Sequence, residues 1–216
     1  MNFAIITQQL VSGMGSSLMI FVLTLLFSMP LGLLVAFGRM SKIKPLQAVI
    51  KVFIAILRGT PLMLQLLVVN FGPYYLFRIK VGSSYRLWAT FIGFVINYAA
   101  YFAEIYRSGI ESIPKGQYEA ASVLGYNKNQ TFFRIIFPQM VKRVLPPVTN
   151  EVITLVKDTS LAFVLAYEEM FTVAKQIASA RTSIMPLFVA GVFYFIFNGV
   201  VAFAMERIEK KLSYYH

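Results

Sequence analysis

Two sets of polar residues stand inside otherwise apolar stretches, and their spacing puts each set on one side of a helix. Asn97, Tyr101 and Glu104 fall at i, i+4 and i+7, and Glu151, Thr154 and Asp158 at i, i+3 and i+7, with Asn150 and Lys157 on a neighbouring stripe. A charge in mid-bilayer is penalised by about 2.5 to 3.5 kcal/mol on insertion scales, so such groups face a cavity, a partner or the bundle interior. Two polar-faced helices could enclose a wet central site. Their carboxylates suit an ammonium group or a cationic side chain, and Lys157 or a helix N-terminus suits a carboxylate. Structural readings stand beside these. Glu104 could sit at headgroup level and pair with Arg107 or Lys157, and a Lys157–Asp158 pair could simply hold the bundle.

No catalytic constellation accompanies these residues. The chain has no Cys, and its only His is the terminal His216, so neither a metal centre nor a histidine base is expected. A Gly-x4-Gly-Lys-Ser/Thr phosphate loop is also missing, so no cofactor or ATP site is expected and the chain should not be an enzyme. Energy for any work must come from a partner or from an ion gradient.

The elements that position these residues are membrane spans. At 58% hydrophobic and 13% charged over 216 residues, the chain has more apolar side chain than a soluble core of this size needs. Asking for roughly 20 apolar residues per span places five, at about 15–37, 52–77, 87–106, 144–167 and 184–205. The first contains Pro30, where a kink is expected. The second is interrupted by Arg58-Gly59-Thr60-Pro61. Lys and Arg concentrate between spans one and two, between three and four, and after five. By the positive-inside rule the N-terminus is outside and the C-terminus cytoplasmic. No Lys or Arg precedes the first span, so it reads as a retained anchor rather than a cleaved signal peptide. The net charge of +11 reflects these basic loops rather than a nucleic-acid partner, and the 20 Phe and 12 Tyr pack helices and mark interfaces. One domain, residues 1–216, suffices.

Between spans three and four lies a polar, basic island, about 112–138, shaped like a handle for another protein. Pro114 opens a short helix, Gly125 stands where a left-handed cap ends it, Asn127 offers a cap with Gln130 three residues on, and Pro138 closes a second short helical run. The order Glu119-Ala120-Ala121, three residues, Gly125, nine residues, Ile135, one residue, Phe137-Pro138 resembles the cytoplasmic loop of permease subunits of type I ABC importers, with Phe137 where those have Leu. Three further stretches resemble the polar amino-acid branch of that family: Arg58-Gly59-Thr60-Pro61-Leu62 with Gln65, Tyr101 to Gln117, and Leu145-Pro146-Pro147 leading to Lys157-Asp158-Thr159-Ser160-Leu161.

The resemblance implies an all-α membrane protein with a coupling loop between spans three and four, in a bacterial inner membrane. It implies a dimer of permease subunits, identical or mixed, each docked on a cytoplasmic ATP-binding subunit, with an external solute-binding protein delivering an amino acid. Gln117, Glu119, Ala120, Ala121, Gly125, Ile135 and Pro138 would form the coupling loop, with Ala120 and Ala121 letting its helix sit close in the partner's groove. Asn97, Tyr101, Glu104, Asn150, Glu151, Thr154 and Asp158 would line the substrate path, and the negative charge of Glu104 and Glu151 points to a polar, basic substrate. The rival reading is a self-sufficient secondary transporter or ion channel whose carboxylates relay protons or hold cations. A passive anchor for a cytoplasmic enzyme explains the loop but not the charged faces.

Overall fold

The computed structural model describes residues 3–82 and 84–212, and among these no strand occurs. Three helices are long and apolar enough to cross a bilayer: α1 (Phe3–Arg39), α4 (Tyr85–Glu111) and α9 (Met185–Leu212). The 37 residues of α1 span about 55 Å at 1.5 Å per residue, so the helix outruns the hydrocarbon layer.

The expected interruption of the second span is a sharp corner. Helices α2 (Lys44–Gly59) and α3 (Leu62–Phe77) meet at 112°. Pro61 disfavours helical backbone at the residue before it, and Thr60 is extended, with φ −123° and ψ 148°. The first half of this span differs from expectation. Residues 52–57 are the end of a longer helix that starts at Lys44, with Pro45 in its first turn and only Ile54 buried.

The loop after α4 folds into α5 (Lys115–Val123) and α6 (Lys128–Thr131), followed by a π-turn over Phe132–Ile136. Then comes α7 (Phe137–Asp158), which tightens into a 3₁₀ turn over Thr159–Leu165. Two expectations are corrected here. Pro138 does not close a helical run: it lies in the first turn of α7, where its missing N–H costs nothing because the π-turn has already shifted the hydrogen bonding. The helix at the expected fourth span starts at Phe137 rather than 144, runs through Pro146 and Pro147, and loses α-helical form after Asp158. One side of α7 is apolar and buried, at Val148, Val152, Leu155 and Val156, and the other is polar, so it lacks the uniform hydropathy of α1, α4 and α9.

Helix α4 is the centre of the bundle. Lipid tails are as apolar as leucine, so helices associate there by close packing rather than by escape from water, and small residues permit the approach. Ala99, Ala100 and Ala103 are fully buried against neighbouring helices. At Gly109 a Cβ would come within 2.2 Å of Val144 Cγ1, so a larger residue at this α4–α7 crossing beneath the loop must displace Val144. Helix α8 (Met170–Arg181) packs at the opposite end with Leu10, Val189 and Ala190. Its N-cap is Glu169, fully buried, which accepts from Phe171 N (2.7 Å), Thr172 N (2.6 Å), Thr172 Oγ1 (2.9 Å), Tyr194 OH (2.9 Å) and Ser17 Oγ (3.3 Å). This carboxylate joins α1, α8 and α9, and it lies in a stretch that reads as a plain loop in the sequence.

Candidate translocation cleft and coupling loop

Of the two polar faces, that of α7 touches α4 through Tyr98, a residue outside the expected α4 face. Tyr98, the middle residue of α4, donates its hydroxyl to Asp158 Oδ2 at 2.8 Å. Glu151 lies two turns back on the same face of α7, half-buried, with Thr154 between the two and Asn150 exposed beside them. Lys157 is exposed next to Asp158, and their charges attract.

The fourth ionisable group here comes from the corner. Arg58 ends α2, and its guanidinium lies 5.3 Å from the centre of the Tyr101 ring, in cation–π contact. Its charge interacts favourably with those of Glu151 and Glu104. Arg58 near the end of α2 and Lys157 near the end of α7 are both exposed, and hydrocarbon would penalise either charge. Arg58 of α2 with Glu151, Lys157 and Asp158 of α7 supply two cations and two carboxylates, the charge types that the two ends of a zwitterion need. The sequence marked Arg58 as a helix breaker, and only its cationic side chain hinted at a second use.

Two members of the α4 face are already engaged. Asn97 is buried and points at the corner, donating from Nδ2 to Gln65 Oε1 (2.9 Å) and Leu57 O (3.3 Å). Gln65 Nε2 donates in turn to Leu57 O (2.8 Å), Thr60 O (3.0 Å) and Thr60 Oγ1 (2.9 Å). The carbonyls freed by the break at Pro61 thus find donors without water. Glu104 accepts from Arg107 Nη2 at 2.8 Å and Nε at 3.1 Å, and Arg39 Nε lies 3.8 Å away. It belongs to an ion cluster at the loop end of the bundle, with Arg107 as its partner and not Lys157.

The loop is built by local chemistry. At the end of α5, Gly125 is left-handed at φ +76°, with its N–H bonded to Ser122 O and the N–H of Tyr126 to Ala121 O. Asn127 and Gln130 cap each other reciprocally, Gln130 N to Asn127 Oδ1 at 2.9 Å and Asn127 N to Gln130 Oε1 at 3.0 Å. Tertiary contacts then fix its pose. Gln139 donates to Gln117 Oε1 and to Ile135 O, and Arg143 donates to Ser112 O and Oγ. Glu119 and Ala120 are exposed, whereas Ala121 is fully buried against the chain itself. Of the two alanines expected to meet a partner, one therefore faces inward. The outward apolar surface is instead Val123 (88% exposed), Leu124 (73%) and Phe133 (65%), which the sequence reading did not single out.

A helical membrane bundle with ionisable residues around the α4–α7 contact and an apolar-tipped loop has the build of a transport subunit. Residues 28–214 match the binding-protein-dependent transport system inner membrane component family, and the chain belongs to it. It is 36% identical over 196 residues to the L-cystine transport system permease protein TcyB of Bacillus subtilis (strain 168), covering 90% of this chain and 82% of that protein. With the arginine transport system permease protein ArtQ of the same organism it shares 31% identity over 205 residues, 94% of this chain and 92% of that one. The fold matches the crystal structure of an amino acid ABC transporter with histidines at a TM-score of 0.85 and 30% identity, covering 95% of this chain and 94% of that one.

Proposed function

We propose that the chain forms the translocation path of an ATP-driven importer of polar amino acids, with the substrate passing the cleft as a zwitterion. The observations that support this reading are Arg58 over the Tyr101 ring, the Tyr98–Asp158 hydrogen bond, and Glu151 and exposed Lys157 on the same helix as Asp158. Arg58 or Lys157 takes the substrate carboxylate, and Glu151 with Asp158 takes the ammonium, while Tyr101, Thr154 and Asn150 line the path. Asn97 and Glu104 contribute by setting the corner and the inner mouth of the cleft. The case for a basic substrate drew on Glu104 as well as Glu151, and the Arg107 and Arg39 charges around Glu104 remove half of it.

In this reading the chain crosses the membrane five times, the α2–α3 corner counting as one crossing and α7 as another, with the N-terminus outside. The loop then lies in the cytoplasm and docks an ATP-binding subunit through Val123, Leu124 and Glu119. A second permease copy, identical or not, completes the path, and an external binding protein supplies the amino acid. ATP-driven closure of the cytoplasmic subunits pulls on α5, and the Gln117–Gln139 contact and the α4–α7 crossing at Gly109 carry that pull into α7 and its carboxylates. Family membership weighs against a self-sufficient carrier.

The test is ATP hydrolysis by the chain reconstituted in liposomes with its ATP-binding subunit and external receptor, against a panel of amino acids. Stimulation by one class supports the proposal and names the substrate. A stable complex that no amino acid stimulates would overturn it.

A further inference from the structure

The two ends of the bundle differ in charge. Of the nine Asp and Glu residues in the chain, seven lie on the later part of α4, in the loop, on α7 and on the end of α9, and only Glu168 and Glu169 lie at the end away from the loop. Positions 1, 2, 83 and 213–216 hold no Asp or Glu, so that division is complete. Glu169 is fully buried at its N-cap, which leaves Glu168 as the one exposed carboxylate here. The α3–α4 connection stands at the same end as α8, because α4 runs from it to the loop. Four exposed cations oppose Glu168, Arg78, Lys80 and Arg86 around that connection and Lys175 on α8, and Arg181 ends α8 with a fifth charge. The Lys175 ammonium lies 4.7 Å from the centre of the Phe163 ring, at a recess of about 640 Å³ that Ala166, Gln176 and Ser179 also line.

We propose that this end is the landing surface for the external binding protein and that it takes an acidic edge of that partner, with one of the partner's carboxylates seated on Lys175. On the importer reading, on which this assignment rests, this end lies outside. Arg78, Lys80 and Arg86 stand among exposed Tyr74, Tyr75 and Phe77, the company of cations at headgroup level. The outward face of α8 is different: Lys175, Gln176, Ser179 and Ala180 are exposed and none is large and apolar, so it suits water and a polar partner. A positive field with a single exposed carboxylate against it draws an acidic partner in from solution. Charges of this exposed kind govern how fast partners meet more than how tightly they hold.

The experiment uses the assembled transporter, the chain with its ATP-binding subunit, in nanodiscs of phosphatidylcholine alone, and its external binding protein loaded with amino acid. Association rate and stimulation of ATP hydrolysis are read at about 0.05 M and about 0.5 M salt, between which the screening length falls roughly threefold. Association should slow by about tenfold or more across that range, and Lys175→Glu should slow it by a similar factor at low salt, with the maximal rate of hydrolysis unchanged. Lys175→Arg should behave as the unaltered protein, and so should Lys42→Glu in the α1–α2 connection at the other end. Association that ignores either salt or Lys175→Glu, with stimulation intact, overturns the docking surface and leaves the importer reading in place. Absence of stimulation in the unaltered transporter overturns both. A defect of Lys175→Glu that appears only when phosphatidylglycerol is added to the nanodiscs would give Lys175 to lipid and sink the assignment. Carbodiimide, which joins a lysine amine to a carboxylate in contact with it, gives an independent reading on the unaltered protein: a cross-link from Lys175 to an acidic residue of the binding protein supports the site, and cross-links made only elsewhere refute it.

Discussion

The Tyr98 hydroxyl, at the midpoint of α4, donates to Asp158 Oδ2, at the last residue of α7, at 2.8 Å. The other end of α7 is the root of the loop, about 33 Å away for a 22-residue helix, so one continuous helix connects the loop to Asp158. Tyr98→Phe removes the donor and leaves a partly buried carboxylate without it. A loss of about 1–3 kcal/mol is expected, read as a lower unfolding temperature in detergent. An unchanged unfolding temperature would mean that the bond contributes nothing to the bundle.

Gln65→Leu and Asn97→Leu should each destabilise the chain by about 1–3 kcal/mol, since each leaves part-buried polar groups at the corner without their partner. The two residues share one network, so the double variant should lose less than the sum. An Asn97→Leu variant of normal stability but poor substrate affinity would instead place Asn97 in direct contact with substrate.

Leu124→Asp should leave stability within about 0.5 kcal/mol, because the side chain is 73% exposed. Co-purification with the ATP-binding subunit should fall by roughly tenfold or more, the equivalent of about 1.5–3 kcal/mol for burying a leucine. Glu119→Lys should likewise insert normally while uncoupling transport from ATP. Normal ATP-driven uptake by both variants would remove the loop from the docking surface.

Glu151→Gln should weaken amino-acid binding by about ten- to a hundredfold, the range for one hydrogen bond to a charged group. Arg58→Gln should weaken binding of the amino acid but not of its decarboxylated amine, if Arg58 meets the carboxylate. Equal losses for both ligands would reduce Arg58 to a structural cation over Tyr101.

Gly125→Ala meets no neighbour within 4 Å, so its only penalty is the left-handed backbone, about 1 kcal/mol. The effect should be confined to α5: faster amide exchange there, and an unchanged global unfolding temperature. Global destabilisation would show that the turn supports more than the loop.

The sequence by itself determined whatever depends on neighbours a few residues apart. The Gly125 turn, the Asn127–Gln130 caps and the break before Pro61 are satisfied within five residues or by backbone sterics, and apolar run lengths mark α1, α4 and α9 without knowledge of packing. Helical spacing correctly put Glu151, Thr154 and Asp158 on one face. It could not say what each face meets, because that depends on which helix lies across from it. Tertiary structure alone turned Asn97 toward the corner, gave Glu104 to Arg107 and Arg39, buried Ala121, brought Arg58 over Tyr101 and made Glu169 the joint of three helices. Each of these depends on contacts between segments far apart in the chain, and in lipid those contacts follow from close fit and paired charges, which no periodicity encodes.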